Sequence, residues 1–311
     1  MFKKIKSLIF FLSKTKFRFD LPKKNKLLLF DEVHSLKFRD IIKINFNILE
    51  IRSKKIYLWI YLKQIIFFDF TFKTYCKNYI RFTSPKVIIS FNDARFQMYE
   101  LKNDFKDIYF ISVMNGLRFN YWFKQKKKLW PNKLKGDYFF VLNKYYIPKF
   151  QNLIKSDYRI LGHFKNNSVK INKNKVSKQF LYISQMFQNK KEFEFHSKLL
   201  RLINLYLSNS NKKIHILLRS TTEERLLQQE INFYKNIFKF NCVLHQIDQW
   251  KKKYKLIDKF ENIIFTLSTM GFESIARKKK VAIFAPKSFG GSRINALWYA
   301  PYHTKHNFFS T

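Results

Sequence analysis

The chain has 311 residues, 46% of them hydrophobic, enough to build two domain-sized cores. Its 61 Lys and Arg against 21 Asp and Glu give a formal charge of +40, a field that attracts phosphate-bearing partners. The excess is mostly lysine scattered among Phe, Ile, Asn and Tyr, with six Gly and six Pro, the bias of an A/T-rich coding sequence, so nucleic acid is not an expected partner and an anionic membrane surface is the better electrostatic one.

Cys76 and Cys242 lie far apart and spell neither a disulfide framework nor a thiolate zinc cluster. At the N-terminus, MFKK followed by LIFFL has too short an apolar run for a signal peptide and meets Lys14 and Lys16 at once. A cytoplasmic protein is expected. KLLLFDE (26–32) then reads as a buried parallel strand, apolar on both faces and ending in polar residues. IYLWIYLKQIIFFDF (56–70) is broken by Lys63 and Asp69 and is too short for about 30 Å of hydrocarbon. It predicts a buried helix, with Lys54 and Lys55 beside it suited to a monotopic contact at the inner face of a membrane.

Further strands follow at KVIISFND (86–93), IYFISVMNG (108–116) and YFFVLN (138–143), with helical spacing in FQMYELKNDF and KYYIPKFQNLI. A polar, low-complexity stretch from Lys165 to Gln179 is the expected linker, dividing the chain into residues 1–165, a linker over 166–179, and residues 180–311. Beyond it come strands FLYISQ (180–185), IHILLRS (214–220), IIFTLST (263–269) and VAIFAP (281–286), with helices in EFEFHSKLLRLINLYL and GFESIARK. Strand, helix, strand in repetition predicts an α/β fold with parallel sheets.

Ligands of such sheets sit beyond the carboxyl ends of the strands. The residues there are Asp31 and Glu32, Asn92 and Asp93, Asn115 and Gly116, Ser184 and Gln185, Arg219 and Ser220, and Ser268 and Thr269. Asp31, Glu32 and Asp93 are the carboxylates placed to deprotonate an acceptor hydroxyl, and the residues alone do not choose among them. Arg118, in NGLR, has the forked geometry for a phosphate or carboxylate. In LSTMGFESIARKKKVAIFAP (267–286), Ser268, Thr269 and Gly271 lead into a helix carrying Glu273 and Ser274. Such a helix start favours a pyrophosphate, and Glu273 would accept from ribose hydroxyls. Ordinary capping by Ser268 or Thr269 is the competing explanation. His163, in LGHF, reads as a surface histidine. No Walker loop, GxGxxG, HExxH or DxD occurs, so neither a metal nor a cofactor is expected.

The 267–286 segment resembles the donor-site motif of GT-B glycosyltransferases and of UDP-N-acetylglucosamine 2-epimerase-like proteins. KLLLFDE, VIISFNDARFQMYELKNDFKDIYFISVMNGLR, DYFFVLNKYY, YRILGHFKNN, FLYISQ and IHILLRS resemble, in order, a family of O-antigen or surface-carbohydrate biosynthesis proteins, related in fold to CDP-glycerol glycerophosphotransferases. The resemblance implies two Rossmann-like domains, an N-terminal acceptor side and a C-terminal side that holds the nucleotide-sugar donor, with a basic residue such as Arg219 against the diphosphate. It implies a glycosyltransferase acting on a lipid-linked or growing glycan, the donor being a substrate and not a cofactor. A sugar-nucleotide epimerase and a non-catalytic subunit of a polysaccharide assembly are the alternatives. In relatives the chain continues past HNFFST into further helices, so the second domain is expected to be a shortened one.

Overall fold

A computed structural model describes residues 15–52, 55–64, 69, 71–118, 120–130, 134–172, 176–185, 190–210, 213–219, 223–239, 241–266 and 268–284. The chain divides into two compact units after Gly162, except that Arg118–Trp122 groups with the C-terminal unit.

The first unit holds strands β1 (Lys16–Arg18), β2 (Leu27–Phe30), β3 (Phe46–Leu49), β4 (Lys55–Tyr57), β5 (Val87–Ser90), β6 (Tyr109–Val113), β7 (Leu134–Val141) and β8 (Ile154–Ile160). Its helices are α1 (Ser35–Arg39), α2 (Leu58–Leu62), α3 (Phe72–Thr83), α4 (Phe96–Leu101), α5 (Asn120–Leu129, which straddles the division) and α6 (Ile147–Gln151). Six strands form one parallel sheet in the order β3-β2-β5-β6-β7-β8, and β1 pairs with β4 in a separate parallel ribbon. All four residues of β2 are buried, as its unalternating LLLF requires of an interior parallel strand. Aromatic residues fill the layer beside β7: the Phe139 and Phe150 ring centroids are 4.4 Å apart, and Phe123 meets Phe150 edge-on at 5.0 Å.

The second unit contains α7 (Phe164–Asn167), β9 (Ser177–Ile183), α8 (Lys190–Asn209), β10 (Ile214–Leu217), α9 (Glu224–Phe238), β11 (Cys242–His245), α10 (Trp250–Asp258), β12 (Phe260–Phe265), α11 (Thr269–Ala276) and β13 (Lys280–Ile283). Its five-stranded sheet is parallel throughout, in the order β11-β10-β9-β12-β13. Counted from β9 this is 3-2-1-4-5, the Rossmann order. Leu200, Ile203 and Leu207 recur on one face of α8 and pack with Leu227, Tyr234 and Phe238 of α9 over Ile214 and Ile216. Each such side chain contributes about 1.5–3 kcal/mol when fully buried.

All eight apolar runs form strands, with boundaries shifted; β7 begins at Leu134 and not at Tyr138. The expected buried helix over 56–70 is corrected. Its start is strand β4, its middle is the short helix α2, and Trp59 stands in solvent while Ile60 and Tyr61 are buried. Residues 65–68 and 70 lie outside the described residues. Among the described residues no helix is long and apolar enough to cross a membrane.

The stretch expected as a linker, 166–179, contains the end of α7 and the start of β9. Within this stretch, the buried Arg277 guanidinium donates to Asn166 Oδ1 at 3.0 Å and to the Val169 carbonyl at 3.1 Å, holding it to the second unit.

Candidate functional site

In the first sheet the chain leaves β2 toward β3 on one side and reaches β5 on the other, so the switch point lies between β2 and β5. Asp31 follows β2 there, with a φ of 82°, a left-handed backbone rarely taken by a residue with a side chain. Partners hold it in place. Asn92 Nδ2 donates to Asp31 Oδ2 at 2.7 Å, Arg52 Nε lies 3.0 Å from Oδ1 and 3.2 Å from Oδ2, and Arg95 Nε stands 3.8 Å away. The carboxylate is wholly buried among these groups. These bonds occupy the carboxylate's lone pairs, which suits it to organising the loop.

Asp93 is also buried, whereas Glu32 is half-exposed and accepts the Arg52 backbone N–H at 3.1 Å. Of the three carboxylates, Glu32 is the one that is not buried. Asn115 Nδ2 donates to the Phe91 carbonyl at 2.5 Å, joining the turn after β6 to the turn after β5, with Gly116 buried beside it. Arg118 groups with the second unit, where its guanidinium lies 5.4 Å over the Trp122 ring.

The switch point of the second sheet lies between β9 and β12. Past β9, Ser184 Oγ donates to the buried carboxylate of Glu230 and accepts from Tyr234 Oη at 2.8 Å. Glu230 also accepts the Arg219 backbone N–H at 2.9 Å. One buried acid thus ties together the turns after β9 and β10. The Arg219 side chain is exposed; Gln185 is half-buried, and Ser220 lies outside the described residues.

Past β12 comes α11, with Ser268 at its N-cap making no side-chain cap bond and Thr269 as its first residue. Gly271 sits inside α11 and not in a preceding loop. A Cβ there would overlap the Phe265 ring, so helix-to-strand packing requires the glycine. Ser274 is buried and returns its hydroxyl to the Met270 carbonyl at 2.9 Å. Glu273 is buried, accepts the Tyr254 hydroxyl and lies 3.0 Å from His163 Nδ1. Burial, then the Glu273 charge, hold the Tyr254 phenol far above its ordinary range, so it remains a donor.

His163 is therefore buried, correcting the surface placement expected from LGHF; its ring stacks on Phe164 at 5.6 Å. Arg277 is buried beside Asp258, with Nε to Oδ1 at 2.8 Å and Nη2 to Oδ2 at 2.5 Å, and its guanidinium lies 5.4 Å over Tyr254.

Within each unit, then, the structure gathers residues from separate segments: Asp31, Glu32 and Asn92 in the first, His163, Tyr254 and Glu273 in the second. Arg52, Tyr254, Asp258 and Arg277 carry no strand-end signal and were not found in the sequence. Arg277 in particular opens a run of four basic residues that reads as a solvated turn.

Two solved structures share this fold at low identity, and a third is less similar. MnaA of S. aureus, solved with UDP, is 11% identical with a TM-score of 0.52, over 83% of this chain and 79% of that one. The UDP-GlcNAc 2-epimerase of Neisseria meningitidis, bound to UDP-GlcNAc, is 12% identical with a TM-score of 0.50, over 87% and 85%. S. aureus TarM, in a complex containing UDP, is 14% identical with a TM-score of 0.39, over 64% of this chain and only 41% of TarM. No match is found among curated protein sequences. A family described as "putative O-antigen biosynthesis protein" matches residues 111–299, from β6 through α11 and beyond. With more than half of its length matched, the chain belongs to this O-antigen biosynthesis protein family.

Proposed function

We propose that the protein is a GT-B-type glycosyltransferase that moves a sugar from a nucleotide-sugar donor to a lipid-linked or growing surface glycan, at the inner face of a membrane. The observation that carries this is the arrangement at the second switch point. Helix α11 begins just beyond the carboxyl end of β12, the position at which Rossmann sheets bind phosphates on free backbone N–H groups, and Glu273 lies one helical turn further on. Ser268, Thr269 and those amides receive the diphosphate. Glu273, which accepts the Tyr254 hydroxyl and lies beside His163, accepts from the ribose. The same fold holds UDP-GlcNAc in the Neisseria epimerase. Arg118 and Arg219 supply positive charge toward the phosphates. In the first unit Glu32 is the general base for the acceptor hydroxyl, on a loop fixed by Asp31, Asn92 and Arg52. The donor is itself the substrate, so no separate cofactor enters.

Titration calorimetry with UDP- and CDP-sugars tests the reading. Glu273→Gln keeps the shape but weakens charge-assisted bonds, so donor affinity falls by about 1–3 kcal/mol, roughly 5- to 150-fold. Tyr254→Phe removes a partner of Glu273 without touching the ribose; it lowers stability and leaves donor affinity within about threefold. Equal donor binding by wild type and Glu273→Gln would sink the assignment. Product formed from donor alone would instead favour the epimerase.

A further inference from the structure

We propose that the β1–β4 ribbon and the chain leading from β1 toward β2 form a docking surface for an anionic lipid bilayer. Phe19 is 70% exposed, and Leu21 and Trp59 are 54% exposed each. They belong to one connected surface, because the Trp59 indole N–H donates to the Phe19 carbonyl at 2.7 Å. That bond satisfies the ring's one polar group, so the indole enters the boundary between headgroups and acyl chains without losing a hydrogen bond to water.

Charge surrounds these apolar tips. Between residues 16 and 26, Lys16, Arg18, Lys23, Lys24 and Lys26 are all exposed. The single acid, Asp20, is neutralised by Arg18 through bonds of 3.2 and 2.9 Å. The parallel register sets Lys16 beside Lys55. Behind this face Ile56 is buried, so the ribbon is anchored on one side and open on the other. Neither signal is strong alone, but apolar insertion combined with a basic cluster gives stable attachment. A second copy of the chain does not fit this surface, since it would set the exposed Lys16, Lys23, Lys24 and Lys26 of one copy against those of the other. The surface rests on the membrane-side part of the function proposed above and not on its donor chemistry, so the vesicle result and the donor titration fail independently.

The test is flotation of the full chain with vesicles of phosphatidylcholine alone or mixed with phosphatidylglycerol. Wild type floats with the mixed vesicles only. The triple variant Phe19→Ser, Leu21→Ser, Trp59→Ser loses at least about tenfold in partitioning. Lys23→Gln with Lys24→Gln, both in an exposed loop where folding is undisturbed, loses about 30-fold at roughly 1 kcal/mol per lysine. A control on the exposed face of α8, Leu202→Ser, Leu205→Ser, Tyr206→Ser, stays within about twofold of wild type. Equal flotation with uncharged vesicles, or equal loss in the α8 control, overturns the proposal. So does absence of flotation with retained binding to a single-stranded oligonucleotide, which would assign the surface to nucleic acid.

Discussion

Arg277→Met tests the framework beneath the candidate donor site. The substitution keeps the aliphatic stem in its buried place but removes two charge-assisted bonds to Asp258 and the donors to Asn166 and Val169. Asp258 is 2% exposed and would keep the Asn172 backbone N–H at 3.0 Å as a neutral donor. Breaking one side of a buried pair costs about 3–5 kcal/mol, chiefly because the other charge stays buried. In a unit of this size that lowers the melting temperature by roughly 6–20 °C. Differential scanning calorimetry reads the transition, and hydrogen exchange shows whether the amides of 164–170 lose protection. The double variant Arg277→Met, Asp258→Asn recovers part of the loss because the orphaned charge is gone. A shift of less than about 3 °C, or a double variant less stable than the single one, would refute the argument that the pair is a buried electrostatic anchor.

Gly271→Ala forces a methyl into the Phe265 ring and costs about 1–3 kcal/mol in urea unfolding, partly relieved by Phe265→Leu in the same chain. Glu32→Gln lowers the rate of sugar transfer by about 10²- to 10⁴-fold in a radiolabelled-donor assay while donor affinity holds. His196 beside Tyr182 is pushed down to about 4 by burial, so it folds neutral. The unfolded chain therefore binds more protons between pH 6.5 and 4, and stability falls by up to about 3 kcal/mol as pH drops through that window. His196→Phe reduces this slope by about one proton, measured as unfolding free energy against pH.

The interior of each sheet was legible because parallel strands covered on both faces read as bare apolar runs, as in β2. The strands missed were mostly at edges or in the small ribbon. β8, IKSDYRI, buries only Ile154, and β11 buries none of its four residues, so neither carries an apolar run to detect. For the site, position was readable and environment was not. Asp31 and Asn92 were placed correctly at strand ends, but the sequence gives no sign that Arg52, 21 residues away, would close over Asp31. Gly271 read as a loop residue that lets backbone approach an anion closely, whereas here it lies inside α11 and a phenyl ring lies where its side chain would be. His163 looked exposed because its polar partner, Glu273, comes from 110 residues further along the chain.

The strand order of the second sheet also sets a timetable for its making. β9 is the first of its five strands to leave the ribosome, yet it ends in the middle, between β10 and β12. Its side toward β10 can pair early, but β12 emerges about 80 residues after β9, some 4–16 s at ordinary elongation rates. Through that interval the apolar stretch Leu181–Ile183 keeps one edge of unpaired amides and carbonyls. A nascent chain of this protein is thus most open to mispairing and aggregation while α9 and β11 are being synthesised, and slower translation over residues 224–245 prolongs that exposure.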